Sequence, residues 1–266
     1  MRLLSISNIA WSSEHDIQMY AFMHTNGYLG LEIAPTRIFS NLPYDHIDQA
    51  RHFSTRLYEE YGLSISSMQS IWYGRNENIF GTQNERDGLF EYTKRAIDFA
   101  DAIDCKNLVF GCPKNRSYPQ SIIDPIDIAV DFFSKIAEYA AEHHTIIAFE
   151  ANPPLYGTNF INTTQQAITL CHKVNLKGFK INVDVGTMIA NDESISIIAD
   201  NIDIVSHIHI SEPQIAPIKH RSLHQKIFAL PYTKYISIEM RKLEGLESIK
   251  QAALYIKGLA VMEGKD

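Results

Sequence analysis

Four side chains that could do chemistry stand at the ends of apolar, β-favouring runs in the second half of the chain. Glu150 closes IIAFE, Asp184 closes FKINVD, His209 lies in IVSHIHI and Glu239 in YISIEM. They are 34, 25 and 30 residues apart, and each interval suits one strand, one helix and their connections. Three carboxylates gathered in one place would repel one another and raise their pKa values unless a cation neutralised them. One divalent metal ion is therefore expected, held by Glu150, Asp184, His209 and Glu239. Three carboxylates and one imidazole suit Mn²⁺, Mg²⁺, Co²⁺ or Zn²⁺ alike. A lone acid at a strand end more often caps a helix or is simply solvated; four at corresponding places on consecutive strands argue against coincidence. After Glu150 comes ANPPLYG, whose asparagine, double proline and glycine cannot continue a strand.

The elements that must position these groups alternate along the chain. Strands are expected at LLSIS, LGLEIA, SISSMQSI, KNLVFG, IIAFE, FKINVD, IVSHIHI and YISIEM. Helical stretches follow near residues 14–26, 45–61, 85–103, 125–143, 163–174, 194–202, 220–230 and 246–258. Eight strand–helix units with no low-complexity linker point to an α/β fold, a single (β/α)8 TIM barrel formed by residues 1–266 as one domain. In such a barrel the active site lies at the C-terminal ends of the strands, where the four residues stand. Two residues earlier, one layer deeper, are Ala148, Asn182, His207 and Ser237. A purely structural layer would be branched and apolar. Asn182 and His207 are thus candidates to orient the ligands from below, although His207 reads equally well as a core histidine satisfied by neighbouring hydroxyls.

Composition narrows the partners. The chain is 45% hydrophobic and 21% charged, with a formal net charge of −7, so it can bury a large core and is not built to bind a nucleic-acid backbone. No apolar run approaches a membrane span, and three cysteines without metal-type pairing suit a reducing compartment. A cytoplasmic protein with a small-molecule substrate, no nucleic acid and no membrane partner is expected, and assembly into a homo-oligomer remains open.

The motifs GYLGLEIAPTRIF, MQSIWYG, LVFGCPKNR, FEANPPLYGTNF, NVDVGTM, HIHISEP and ISIEMR together resemble the xylose-isomerase-like TIM-barrel superfamily. This is the sugar phosphate isomerase/epimerase group, which includes ketose 3-epimerases and endonuclease IV. The resemblance implies that Glu150, Asp184, His209 and Glu239 hold the metal, and that Glu150 and Glu239 are the catalytic acid/base pair. Removing a proton beside a carbonyl leaves an enediolate, and two facing glutamates let one take the proton and the other return it. Return to the same carbon epimerises; return to its neighbour isomerises.

The expected activity is a divalent-metal-dependent isomerase or epimerase of a sugar or sugar phosphate. A dehydratase or aldolase on the same metal site is the alternative. An endonuclease-IV-like phosphodiesterase is disfavoured because its extra His and Asp ligands and a basic groove are missing, and an inactive sugar-binding barrel because the metal set is intact. Ketose 3-epimerases carry a histidine and an arginine where this chain has Thr187 and Ile215, whereas Glu212 fits their pattern. The substrate is therefore expected to differ from a free ketohexose. Candidate substrate contacts are Glu32, Gln69, Trp72, Asn152, Tyr156 and Glu212. Lys114 and Arg116 after strand four, and His220 in the basic run after strand seven, are candidates for a phosphate or carboxylate of the substrate.

Overall fold

The computed structural model describes residues 2–262. Eight parallel strands close into a barrel: β1 Leu3–Ser7, β2 Gly30–Ile33, β3 Ser64–Met68, β4 Asn107–Phe110, β5 Ile146–Glu150, β6 Phe179–Asp184, β7 Val205–Ile210 and β8 Tyr235–Ile238. β8 pairs with β1 through Leu3 opposite Tyr235, and this contact removes both sheet edges. The helices are α1 Asp16–Thr25, α2 Pro35–Ile38, α3 Ile47–Tyr61, α4 Gln83–Ala102, α5 Pro125–Glu142, α6 Thr164–Val174, α7 Val185–Ala190, α8 Ser196–Ala199, α9 Ser222–Phe228 and α10 Glu247–Met262.

Local chemistry sets several of these boundaries. Thr82 and Glu85 form a reciprocal capping box that starts α4, and Thr163 with Gln166 does the same for α6. Gly62, at φ +65°, ends α3 in the left-handed conformation that glycine adopts without strain. The expected helix near 194–202 is α8, shorter than anticipated. The chain also turns helical immediately after β6, as α7, because Asp184 itself caps it by accepting the Thr187 backbone N–H at 2.6 Å.

The core lies between barrel and helices. Phe110, Phe149 and Phe179 from β4, β5 and β6 pack against Phe133 of α5 with ring centroids 4.9 to 5.3 Å apart. Inside the barrel the chemistry is reversed. Ser5, Ser7, Glu32, Ser67, Asn107, Asn182, His207 and Ser237 are all buried. The polar layer suspected beneath the rim therefore extends around the barrel.

Register explains how the four rim residues meet. Glu150 lies opposite Asn182, Asp184 opposite His209, and His209 opposite Ser237, two residues before Glu239. Along the hydrogen-bond ladder the ligand positions step upward; strand tilt and shear bring them level about the barrel axis. The ladder also shifts between Leu31 and Glu32 against β3, and between Ile181 and Asn182 against β7. Each irregularity re-aims side chains directly beneath the site.

Candidate active site

Glu150, Asp184, His209 and Glu239 each offer one ligand atom, and these atoms all lie within 4.8 Å of one another. All four residues are buried. His209 Nδ1 is 3.1 Å from a Glu150 oxygen and 3.2 Å from a Glu239 oxygen, so it faces the carboxylates. Burial, then the carboxylates of Glu150 and Glu239, push Asp184 up to about 7. Burial likewise raises Glu239, with Glu150 adding to the effect against the opposing pull of His209. A buried set of three acids and one imidazole that resists full ionisation by itself is the donor set a divalent cation satisfies, and the residues fit such an ion.

The four side chains are held by a second set of hydrogen bonds. Asn182 Nδ2 donates to Glu150 Oε2 at 2.6 Å, and Asn152 Nδ2 donates to Glu150 Oε1 at 2.9 Å. Asp184 accepts from Thr187 N–H on one oxygen and from the Ser211 hydroxyl on the other. Below them His209 Nε2 meets Glu32 Oε2 at 2.9 Å, and His207 Nε2 lies 3.2 Å from the same oxygen and 2.8 Å from Ser237 Oγ. Gln69 Nε2 donates to the other Glu32 oxygen at 3.0 Å. Burial opposes charge on Glu32 and on His209. Their contact overrides it, holding Glu32 well below the usual carboxylate range and His209 well above the usual imidazole range. His207, by contrast, is lowered by burial and stays neutral.

Above the carboxylates opens a cavity of about 260 Å³ lined by Gln69, Ser70, Glu150, Asn152, Tyr156, Asp184 and Glu239, with Ile9, Val109, Gly111, Cys112, Pro113 and Ile215 between them. A Cβ on Gly111 would stand 3.0 Å from Glu150 Oε1, so glycine there leaves the carboxylate its room. The Tyr156 hydroxyl accepts the Gln214 backbone N–H at 2.7 Å, and burial pushes the phenol up to about 12. Cys112 borders the cavity, but burial drives its thiol up to about 12, which suits packing rather than nucleophilic attack.

Of the expected substrate contacts, Gln69, Asn152 and Tyr156 reach this cavity. The others have different work. Glu32 is sealed beneath His209 with no exposed surface. Trp72 is buried and its indole N–H donates to Thr93 at 2.8 Å. Arg116 is also fully buried. Its guanidinium donates to the carbonyls of Glu150 and Phe160 and to Asn152 Oδ1, lies over the Phe149 ring, and is lowered to about 10 by burial. Glu212 pairs with Arg221 at 2.5 Å, and exposed His220 stacks on Tyr255 with centroids 3.8 Å apart. Lys114 donates to Asn76 outside the cavity.

At the two departures from the ketose 3-epimerases, the Thr187 hydroxyl donates to the Ala151 carbonyl at 2.9 Å and Ile215 gives the cavity an apolar wall. Ser211 and Gly111 were not anticipated. The alternation His207, His209, Ser211, carried one step further up β7, points to Ser211; Gly111 leaves no comparable signal.

The xylose isomerase-like TIM barrel family model matches residues 21–263. No match by sequence was found among curated proteins. Among solved structures the chain is similar to 3-keto-D-glucoside 4-epimerase from E. coli, at a TM-score of 0.74 and 18% identity over 99% of this chain and 100% of that one. It is also similar to L-ribulose 3-epimerase, at 0.75 and 14% over 99% and 94%. For D-psicose 3-epimerase from Clostridium cellulolyticum H10, crystallised with D-tagatose, the values are 0.73 and 15% over 98% and 96%. At these identities the likeness speaks for the fold. Matched over nearly its whole length, the chain belongs to the xylose isomerase-like TIM barrel family.

Proposed function

We propose that the protein is a divalent-metal-dependent epimerase or isomerase of an unphosphorylated sugar, working by proton transfer between Glu150 and Glu239. The observation that carries this reading is the buried group of four ligand atoms within 4.8 Å, at the floor of a cavity that both glutamates line. Three solved proteins of the same fold are epimerases of sugars by name, which supports the reaction class.

Glu150, Asp184, His209 and Glu239 would hold the ion. When bound, it supplies positive charge beside the substrate oxygen on which negative charge develops, worth several kcal/mol. The chain's residues do the rest. Glu150 is fixed by Asn152 and Asn182, one on each oxygen, so that it meets the substrate in one orientation. Glu239 stands across His209 from it, and one of the pair takes the proton beside the carbonyl while the other returns one. A positioned carboxylate base contributes about 10²–10⁴-fold. Gln69, Asn152 and Tyr156 offer an amide, an amide and a phenol to the sugar's hydroxyls.

An unphosphorylated substrate is favoured by the lining of this cavity, which among the described residues includes no lysine or arginine. Arg116 is spent on carbonyls, Arg221 on Glu212, and neither lines the cavity. A multi-metal nuclease reading is not supported either: among the described residues the other possible donor group, Glu32, His207 and His209, shares His209 with the first.

The test is exchange of substrate hydrogen with solvent deuterium, read by mass spectrometry on Mn²⁺-loaded protein over a panel of ketoses, aldoses and keto-sugars. Exchange into at least one sugar is expected, with Glu239→Gln retaining metal and losing the exchange by about 10²-fold or more. Undiminished exchange in Glu239→Gln removes Glu239 from the proton path. A protein that binds no divalent ion on titration overturns the reading as a whole.

A further inference from the structure

Beside the catalytic cavity lies a second one of about 470 Å³, and the two share Ser70, Cys112 and Pro113 as a common wall. The catalytic cavity measures about 260 Å³. The neighbour is the larger of the two. Its remaining walls are Trp72, Tyr73, Gly74, Arg75, Lys114 and Asn115. Where the cavities meet, Ser70 and Cys112 both hold left-handed backbone, at φ +55° and +39°. Such strain in non-glycine residues persists only where the surroundings impose it, and it gathers at binding sites.

We propose that the second cavity is a subsite for a further sugar ring joined to the sugar that reacts, so that the substrate has at least two rings. This rests on the reading of the first cavity as a site that enolises a sugar. Of the two cations in the lining one is neutralised, while Lys114, whose partner Asn76 is uncharged, is not. Arg75 is paired with Glu77 and lies over the Tyr92 ring at 4.8 Å, so its charge is already compensated. Lys114 donates to the Asn76 carboxamide at 2.5 Å and has further hydrogens free to turn toward hydroxyls. Tyr73, 71% exposed, and the Pro113 ring supply flat apolar surface of the kind that meets the C–H face of a sugar. An aromatic face with a few polar donors at its edge is the general make-up of a sugar-sized pocket.

The test uses the full chain loaded with Mn²⁺ and compares D-fructose with maltulose and isomaltulose, which are fructose joined to glucose at O4 and O6. D-Fructose 6-phosphate is the anionic comparator. Binding is measured by calorimetry and deuterium exchange by mass spectrometry. At least one disaccharide is expected to bind about tenfold or more tightly than D-fructose, with Tyr73→Ala removing most of that advantage. Equal or weaker disaccharide binding, an advantage that survives Tyr73→Ala, or a preference for the phosphate ester overturns the subsite. Because binding is read separately, disaccharide preference without exchange of any probe would leave the subsite standing and count against the enolising reading alone.

Discussion

A carboxylate with no exposed surface is costly unless each oxygen has a donor, and Glu32 has His209 and His207 on one oxygen and Gln69 on the other. With an ion bound, the arrangement would set the His209 tautomer, with hydrogen on Nε2 toward Glu32 and the Nδ1 lone pair toward the ion; without one, the carboxylates keep Nδ1 protonated as well. Glu32 therefore positions His209 and lies outside the lining of the cavity. Glu32→Gln keeps the shape but weakens the orienting acceptor, and Mn²⁺ affinity is expected to fall about 10–100-fold by calorimetry. Wild-type affinity in that variant would reduce Glu32 to packing. Asn182→Ala should act similarly on Glu150, which it reaches at 2.6 Å, and a lower kcat with a folded thermal profile would show it.

At the level of elements, α7 carries more than its six residues suggest. It begins at Asp184, and Gly186 in its first turn packs against β7's outlet, where a Cβ would stand 2.8 Å from the Glu212 carbonyl carbon and 3.0 Å from Ser211 Oγ. Gly186→Ala must push α7 away from the Glu212 backbone and the Ser211 hydroxyl and carry Asp184 with it. A loss of about 1–3 kcal/mol in denaturant unfolding is expected, together with weaker metal binding. Loss of stability with intact metal affinity would mean that α7 moves without its cap. At Gly178, just before β6, a Cβ would stand 2.0 Å from the Ala137 carbonyl oxygen of α5, which shows how closely this barrel wall and its helix approach.

For the whole molecule, the crowded acids make stability depend on pH and on metal together. Asp184 titrates at about 7 in the folded, metal-free chain against an ordinary 3.8. Between those values the folded state holds a proton the unfolded state has released. The metal-free protein therefore loses stability from this group as pH rises from about 4 to about 7, and the loss is complete above that. Melting temperatures in EDTA should fall over this window relative to Asp184→Asn, and saturating Mn²⁺ should restore wild-type stability. Parallel pH curves for the two proteins in EDTA would contradict the assignment. Among the described residues no helix is long and apolar enough to cross a membrane.

By itself the sequence determined the barrel and the convergence of four side chains that could hold a metal, because strand alternation and helix periodicity are local and the spacing of one β/α unit places each strand end on the same rim. The capping pairs Thr82 with Glu85 and Thr163 with Gln166, and the glycine stop at Gly62, are equally local. Tertiary structure alone decided which side chains face the cavity. Glu32 sits at a strand end just as Glu150 does, yet a shift in the β2–β3 ladder and two histidines from β7 turn it into a buried anchor. Arg116 and Trp72 lie in rim loops as a substrate contact would, and only the folded chain shows that carbonyls from β5's outlet and a hydroxyl from α4 already occupy them. Exposure of a polar group in a loop depends on what else the fold brings to it, and residues distant in sequence supply that.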